Sequence, residues 1–225
     1  MSVSKVINQF NNKAYGKEWR PSDLVQKRVK KLISLVGTGN KVLDIGCYDG
    51  TIAKTLNDKG NDVLAIDIAD SAIKLAKKKG VNAMVFNFEE DKLPKSMKDF
   101  DVVIAGEIIE HIFDTDGFIQ KVGSVLKKNG SLILTTPNLA GLGARINLLM
   151  GKTPWMVENT LQGGVSGHIR YFTFETLEQL LNRNGFKVEK KVTESVGLGQ
   201  SLSIPFFDKL MPSLGRIVIV KAIKK

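Results

Sequence analysis

Apolar runs typical of buried strands alternate with helical segments through the middle of the chain, from residue 41 to residue 192. The segments between the runs repeat apolar residues at helical spacing. This alternation predicts a mostly parallel sheet with helices on both faces. The two closing runs, 187–192 and 215–223, have no full helix between them, which predicts an antiparallel pair at one edge. We therefore expect an α/β fold with a doubly wound, seven-stranded sheet.

The helical segments have recognisable ends. Thr173 is a predicted N-cap of the last helix, and Asp70 or Ser71 is a predicted cap of the third. Glycine follows several of the segments, as is common at helix C-termini. The predicted helices cover residues 22–36, 51–60, 70–80, 116–128 and 173–186.

Composition limits the class of protein. A chain of 225 residues with 43% hydrophobic residues suits one globular domain, residues 1–225. It contains no apolar run of about 18 residues, so we expect no membrane span. The N-terminal stretch is too polar for a signal peptide. The single cysteine, Cys47, fits a reducing cytoplasm.

A net charge of +10 raises the question of a nucleic-acid partner. The lysines are scattered over different predicted elements, in stretches such as "QKRVKK", "KLAKKKG" and "KAIKK". That distribution is typical of solvated helix faces and helix C-terminal turns, where cations suit the helix dipole. Nucleic acid is therefore not the favoured partner.

The stretch "VLDIGCYDG", residues 42–50, is a strand followed by a tight glycine turn. It lacks the middle glycine of a dinucleotide-binding turn. Asp44 and Asp49 would repel a pyrophosphate in a poorly screened cleft. The turn suits a cationic ligand without phosphate, and S-adenosylmethionine carries both an ammonium and a sulfonium. A purely structural glycine turn is the alternative.

Asp67 ends the second predicted strand about twenty residues further on, where an acidic side chain accepts hydrogen bonds from ribose hydroxyls. Its neighbour Ile68 is placed to pack on an adenine. The alternative for Asp67 is a helix cap. Asp44, Gly46, Gly50 and Asp67 together form a stronger signal than any one of them alone.

These residues belong to a wider resemblance to class I S-adenosylmethionine-dependent methyltransferases, which covers residues 40–192. The matching stretches, in order, are "VLDIGCYDG", "VLAIDIADSAIKLAKKKG", "FDVVIAGEIIEHI", "LKKNGSLILTTPN" and "HIRYFTFETLEQLLNRNGF". The chain is most similar to a broad small-molecule and glycan-associated group, and it also resembles the methionine-biosynthesis protein W group. The resemblance implies a Rossmann-like methyltransferase fold.

The resemblance also implies cofactor-binding roles. Asp44 would hold the methionine ammonium, Gly46 would let the backbone pass under the methionyl part, and Asp67 would bind the ribose diol. Asn87 stands where the family usually has an aspartate that reads the adenine amino group, with Phe88 beside it. Asparagine accepts through its amide oxygen but lacks the charge. The family often has glycine where Cys47 stands, and cysteine is small enough to be tolerated.

Both histidines of the chain fall at the predicted ligand end of the sheet. With an ordinary pKa near 6.5, either His111 or His168 can take a proton from an acceptor. The alternatives are a structural or cofactor-side role for His111 and a loop cap for His168. Glu107 would line the pocket or orient His168, whereas Glu110 would bond backbone in the next turn. The catalytic candidates are thus His168, His111 and Glu107.

Two segments stand outside the alternation, residues 1–21 and the insertion 139–167. Insertions after the fifth strand lie at the ligand end, so we expect a substrate lid. Aromatic side chains with a polar tip suit sugar or ring acceptors, and arginines suit phosphate or carboxylate. Trp155 has the alternative of packing the lid onto the body. The substrate-binding candidates are Tyr15, Arg145, Trp155, Arg170 and Tyr171.

The chemistry is further limited by what the sequence lacks. The loop after the fourth strand has no Asn-Pro-Pro-aromatic motif, which argues against amino-methylation of a nucleobase. No closely spaced set of histidine, cysteine and carboxylate predicts a metal. We expect O-methylation of a small-molecule or glycan-related acceptor, with S-adenosylhomocysteine as product. The alternatives are a non-catalytic partner of the W type and an RNA methyltransferase.

Overall fold

The computed structural model describes residues 23–157, 167–198, 202–203 and 207–225. The strands are β1 (Lys41–Ile45), β2 (Asp62–Asp67), β3 (Asn82–Val85), β4 (Phe100–Gly106), β5 (Leu126–Pro137), β6 (Phe186–Val192), β7 (Gly197–Leu198), β8 (Leu202–Ser203) and β9 (Ile217–Lys224). The helices are α1 (Asp23–Val36), α2 (Thr51–Asp58), α3 (Asp70–Lys78), α4 (Thr115–Val125), α5 (Leu142–Leu149), α6 (Phe174–Arg183) and α7 (Phe207–Leu210). Two 3₁₀ turns cover Ile109–His111 and Pro212–Leu214.

Seven strands form one sheet in the order β3-β2-β1-β4-β5-β9-β6. The pairings among β1 to β5 are parallel, while β9 runs antiparallel to both β5 and β6. This confirms the predicted seven-stranded sheet with an antiparallel pair at one edge. The strand order reverses between β1 and β4, and the carboxyl ends of these two strands border the cleft where such sheets bind ligands.

The core lies on both faces of the sheet, as the alternation predicts. Successive residues of β4 alternate between the two faces: Val103 packs with the side chains of α4 and α6, and Ile104 packs with those of α1, α2 and α3. Both residues are fully buried. The burial of strands on both faces explains why they read as near-continuous apolar runs.

Several predicted element boundaries differ from the structure, and two of the differences have a clear physical reason. The helix predicted over residues 116–128 ends at Val125, because Leu126 already pairs with Phe100 of β4 through a local register shift. At α3 the N-cap is Ala69, which provides no side-chain cap, and Asp70 lies inside the first turn and pairs with Lys74. The predicted Thr173 cap is confirmed, since its side chain accepts the backbone N–H of Thr176.

Within the described part of the chain, no helix has both the length and the apolar character needed to cross a membrane.

Candidate functional site

The turn after β1 is held against β2 by its backbone. The N–H groups of Gly46 and Cys47 both donate to the carbonyl of Ile66, at 2.8 and 3.0 Å. Gly46 and Gly50 have φ angles of +72° and +74°, a region that favours glycine. A Cβ on Gly46 would lie 2.1 Å from Ile108 Cδ1, so the loop after β4 is packed directly onto this turn.

Asp44 is a buried carboxyl in β1, two residues before Gly46. Its side chain is almost fully enclosed, and among the residues that the structure describes its Oδ2 has no hydrogen-bond partner. Burial, with a further contribution from the charge of Asp67, raises the pKa of Asp44 from 3.8 to about 7. A carboxyl in this state attracts a cation, because a cation would restore the interactions that burial removes.

Asp67 ends β2 on the other side of the turn. Its Oδ2 accepts the N–H of Tyr48 and its Oδ1 accepts the N–H of Ala69, both at 2.9 Å. The Ala69 bond is a local Asx-type turn before α3 and not a helix cap, because Ala69 is itself the N-cap. The two bonds fix the carboxylate, and each oxygen keeps capacity for a further hydrogen bond. Asp67 therefore presents two acceptors held in place by backbone.

Asp49 plays a different part from the one that the sequence predicts. Its carboxylate is buried, its Oδ1 accepts the N–H of Thr51 at the start of α2, and its Oδ2 pairs with Lys79 after α3. Because Lys79 compensates this charge, Asp49 does not repel a pyrophosphate in the cleft. The electrostatic argument for a cationic ligand consequently rests on Asp44.

The side chains of Cys47 and Phe88, two of the predicted cofactor-binding residues, pack into the core. Cys47 is buried among residues of the α1–α3 face, and burial raises the pKa of its thiol well above the usual range. The Phe88 ring packs edge-on against Phe118, with centroids 5.5 Å apart. Their contribution to a ligand is limited to backbone.

Asn87 follows β3 and forms a turn, the alternative that asparagine offers at such a position. Its Oδ1 accepts the N–H groups of Glu89 and Glu90, at 3.0 and 3.3 Å. The amide oxygen expected to read an adenine amino group is thus occupied by backbone. Ile68, by contrast, is half-buried beside Asp67 and keeps an accessible face.

The two histidines lie together beyond the carboxyl end of β4. Their ring centroids are 5.0 Å apart. His168 Nδ1 lies 3.2 Å from the carbonyl oxygen of Met156, and His111 Nδ1 lies 3.1 Å from that of Gly167. Both carbonyls belong to the insertion 139–167, so the insertion contacts this part of the site.

Glu110, and not Glu107, stands beside His168. His168 Nε2 lies 3.9 Å from Glu110 Oε1, and both side chains are buried. Among the described residues neither Glu110 oxygen has a partner at good hydrogen-bond geometry, although contacts with its own backbone N–H and with the Thr136 hydroxyl lower the pKa of its carboxyl. Burial, then the charge of Glu107, raises the pKa of Glu110 well above its usual range. The sequence predicts that Glu110 bonds backbone in the next turn, and the backbone contact of its carboxyl is with its own N–H.

Glu107 belongs to a neighbouring network that joins α1 to the sheet. Its Oε1 pairs with Arg28 Nη1 at 3.0 Å and accepts a hydrogen bond from the Thr135 hydroxyl at 2.9 Å. Its φ of +59° is uncommon for a residue other than glycine. The network holds the end of β4, and it does not orient His168.

The sequence predicts no metal-binding set, but the structure brings three potential ligands together. Glu110, His111 and His168 each offer one ligand atom, and these atoms all lie within 4.8 Å of one another. His168 is remote from the other two along the chain, and only the return of the insertion brings it to them. Spacing within the sequence therefore could not reveal the cluster. We refer to these three residues as the histidine–glutamate cluster.

Two of the predicted substrate-binding residues surround this cluster. Arg170 donates from Nη2 to the Phe113 carbonyl at 2.6 Å, and the Tyr171 hydroxyl donates to the His168 carbonyl at 3.4 Å. The backbone N–H of Arg170 also donates to the Glu110 carbonyl. Both residues therefore lie beside the histidine–glutamate cluster.

The remaining substrate candidates are placed differently. Arg145 Nε donates to the Ala140 carbonyl of its own segment, and no contact joins it to the cluster within the described residues. Trp155 is 53% exposed, and the guanidinium of Arg216 lies 5.4 Å from its ring centroid. That contact agrees with the packing alternative for Trp155. Tyr15 lies outside the described residues.

Comparison with known proteins places this geometry in a family. Residues 17–191 match the model of a methyltransferase domain family. The human mitochondrial ubiquinone biosynthesis O-methyltransferase is 31% identical over 163 residues, which are 68% of this chain and 43% of that protein. The ubiquinone biosynthesis O-methyltransferase of Pelagibacter ubique is 36% identical over 101 residues, 44% of this chain and 42% of that protein. The chain spans less than half the length of these relatives.

Solved structures share the fold at low sequence identity. The magnesium protoporphyrin IX methyltransferase of Synechocystis PCC 6803, with bound S-adenosylhomocysteine, has a TM-score of 0.67 at 15% identity, covering 98% of this chain and 99% of that one. An S-adenosylmethionine-dependent methyltransferase of Archaeoglobus fulgidus has a TM-score of 0.66 at 21% identity, covering 96% and 98%. The family match extends over most of the chain, including the turn after β1, Asp67 and the histidine–glutamate cluster. The chain belongs to the methyltransferase domain family.

Proposed function

We propose that the protein transfers a methyl group from S-adenosylmethionine to a hydroxyl oxygen of a small molecule. The observation that carries the proposal is Asp44, a buried carboxyl at the ligand end of the sheet whose Oδ2 meets no donor in the described residues. Oxygen as the accepting atom is supported by the relatives that are named as ubiquinone biosynthesis O-methyltransferases.

The residues around the turn fit S-adenosylmethionine. Asp44 offers a carboxylate for the ammonium, and Gly46, which lacks a Cβ, lets the Ile108 side chain pack onto the turn beside which the methionyl part would pass. Asp67 has spare acceptor capacity on two oxygens for a ribose diol, and Ile68 offers a half-buried apolar face for an adenine. Asn87 can still donate from Nδ2 to a ring nitrogen, although its Oδ1 is used by the turn.

When bound, S-adenosylmethionine supplies a methyl group already activated by the sulfonium, and it leaves as the neutral thioether. The protein therefore needs mainly to align the acceptor and to exclude water. Asp44 and Asp67 fix the donor from two neighbouring strands. The acceptor hydroxyl is proposed to bind at His111 and His168, while Glu107 supports the end of β4 through Arg28.

The insertion 139–167 is proposed to form the lid over the acceptor, with residues 1–21 as a further part. Its carbonyls at Met156 and Gly167 hold the two histidines. Several large apolar side chains of the insertion are exposed: Leu148, Leu149, Met150 and Trp155. These exposed apolar side chains favour an acceptor with an apolar body rather than a sugar. Arg170 and Tyr171 would supply the polar contacts to it.

An acceptor screen tests this function. Phenols, aliphatic alcohols and sugars are incubated with S-adenosylmethionine, and S-adenosylhomocysteine is measured by a coupled assay. We expect acceptor-dependent product with a phenol or alcohol, and much less with sugars. Product from sugars alone would favour the glycan-related acceptor. Cofactor binding without turnover on any acceptor would favour the non-catalytic alternative.

The alternative function, that of an RNA methyltransferase, predicts RNA binding that weakens steeply as the salt concentration rises. We expect no such salt-dependent binding, since several of the chain's lysines take part in local ion pairs such as Lys54–Asp58, Lys74–Asp70 and Lys127–Asp101.

A cytoplasmic location is proposed from the single cysteine, Cys47, and cell fractionation tests it.

A further inference from the structure

We propose that Glu110, His111 and His168 bind one divalent transition-metal ion of the zinc class. The three side chains converge at the acceptor side of the cleft, where each offers a ligand atom within 4.8 Å of the other two. In a tetrahedral zinc site with bonds of about 2.1 Å, ligand atoms are about 3.4 Å apart. Side-chain rotations that shorten the separations by at most about 1.4 Å would form the site.

The hydrogen bonds of the two imidazoles prepare them to bind a metal. Each Nδ1 lies at hydrogen-bonding distance from a backbone carbonyl, that of Met156 for His168 and that of Gly167 for His111. Because a carbonyl only accepts, each Nδ1 carries the hydrogen and each Nε2 carries the lone pair. Metal-binding histidines almost always have this second bond, which fixes the tautomer and the ring orientation.

Glu110 supplies an independent reason for a cation. Its side chain is 1% exposed, and within the described residues neither oxygen has a donor at good hydrogen-bond geometry, the Thr136 hydroxyl offering only a weak contact. Leaving a carboxyl in that state costs free energy, since burial removes its hydrogen bonds to water. The nearby guanidinium of Arg28 is engaged by Glu107. A metal ion between Glu110 Oε1 and His168 Nε2, which are 3.9 Å apart, would satisfy this carboxyl.

The donor set selects the kind of ion. Two imidazoles and one carboxylate are typical of zinc and related transition metals, whereas magnesium and calcium prefer oxygen alone. Thiolate is excluded, because the only cysteine, Cys47, packs into the core. Three protein ligands leave a coordination position open, which is the arrangement of catalytic and not structural zinc sites.

The open position gives the ion a role that rests on the proposed function. The side chain of Ile108 lies over Gly46, and Glu110 and His111 follow it directly, so the cluster stands beside the donor turn. The oxygen of an acceptor hydroxyl could occupy the open position. The positive charge of the ion would favour the ionised form of that hydroxyl, and the hydroxyl proton would pass to water. The ion thereby makes the acceptor a better nucleophile without a separate base.

Metal binding is tested without acceptor or cofactor. Untagged, metal-stripped full chain is titrated with Zn²⁺ by calorimetry and with Co²⁺ by visible absorption. We expect one equivalent of either ion, and Co²⁺ bands of low coordination number without a thiolate charge-transfer band. Glu110→Gln and His168→Ala should weaken Zn²⁺ binding by at least about tenfold. His111→Gln, at a less buried position, gives a second test if His168→Ala does not fold.

The matched control is Glu194→Gln, which changes another buried carboxyl, one that accepts the Thr193 hydroxyl. It should leave Zn²⁺ affinity unchanged. Absence of a stoichiometric site, or equal affinity in the wild type and in folded cluster variants, would overturn the proposal. Calorimetry with S-adenosylmethionine on the same samples separates the two proposals. A metal site without cofactor binding would contradict only the proposed function. Cofactor binding with chelator-resistant turnover and no metal site would contradict only the proposed metal site.

Discussion

The side chain of Ile108 lies so close over Gly46 that a Cβ at Gly46 would come within 2.1 Å of Ile108 Cδ1. This contact joins the donor turn to the loop that carries the histidine–glutamate cluster. We predict that Gly46→Ala weakens binding of S-adenosylmethionine by at least about tenfold, since roughly 1.4 kcal/mol of lost contact is enough for that factor. Calorimetric titration measures the change.

Gly60→Ala is the matched control for Gly46→Ala. Gly60 also has a positive φ, +83°, but nothing lies within 4 Å of its missing Cβ. Both substitutions carry a similar backbone cost of about 1–2 kcal/mol. Only Gly46→Ala should affect the cofactor, and equal cofactor affinity in the two variants would contradict the assignment of the turn.

Gly50→Ala tests the packing of the turn on α3. An added Cβ would lie 2.7 Å from Ala76 Cβ and 3.0 Å from Ala76 Cα, and this backbone cannot move aside easily. Overpacking of about 1–3 kcal/mol should add to the cost of the positive φ. Thermal unfolding should therefore show a clearly larger loss for Gly50→Ala than for Gly60→Ala, and similar losses would mean that the turn is loosely packed.

Asp44 should make stability depend on pH. Its pKa is about 7 in the folded protein and near 3.8 when unfolded, so between these values the folded state keeps a proton that the unfolded chain releases. The stability of the folded protein is therefore highest, as far as Asp44 is concerned, below about pH 4, and the free energy of unfolding falls as the pH rises to 7. Asp44→Asn should accordingly equal the wild type near pH 4 and exceed it by about 1–3 kcal/mol at pH 8.

Denaturant titrations across this pH range measure the free energy of unfolding of the wild type and of Asp44→Asn. Taking the difference between the two proteins cancels the pH dependence that comes from other buried carboxyls such as Glu194. Asp58→Asn is the control, because Asp58 is an exposed carboxyl of α2. A wild type that is more stable than Asp44→Asn at pH 8 would show that Asp44 already has a compensating partner in the free protein.

The same carboxyl should couple cofactor binding to proton release. A bound ammonium favours the ionised form of Asp44, so binding at pH 6 should expel up to one proton, and affinity should rise from pH 6 to pH 8. Calorimetry in buffers of different ionisation enthalpy counts the protons. Asp44→Asn should bind more weakly and release fewer protons. A proton count that Asp44→Asn leaves unchanged would assign the release to another group.

The proximity of the proposed donor residues could be predicted from the sequence because its determinants are local. Asp44, Gly46 and Asp67 stand at the carboxyl ends of consecutive strands, and parallel strands bring such ends together. Charge compensation could not be predicted in the same way. Asp49 is neutralised by Lys79, a contact that depends on how the end of α3 returns to the turn.

The acceptor half was predictable only in part. Both histidines were placed at the ligand end, but the partner of His168 is Glu110, and that choice depends on the path of the insertion. The inward position of Phe88 depends on its packing against Phe118 of α4, and the end of α4 depends on the pairing of Leu126 with β4. Contacts of this kind join distant parts of the chain and leave no periodic signal.

Calorimetric titration with S-adenosylmethionine tests the central claim most directly, in the wild type and in Asp67→Ala, with thermal unfolding as a check that both are folded. The account predicts one bound S-adenosylmethionine per chain in the wild type, and binding weakened by at least about tenfold in Asp67→Ala, which removes both ribose acceptors. No heat of binding in the wild type, or the same affinity in folded Asp67→Ala, would contradict it.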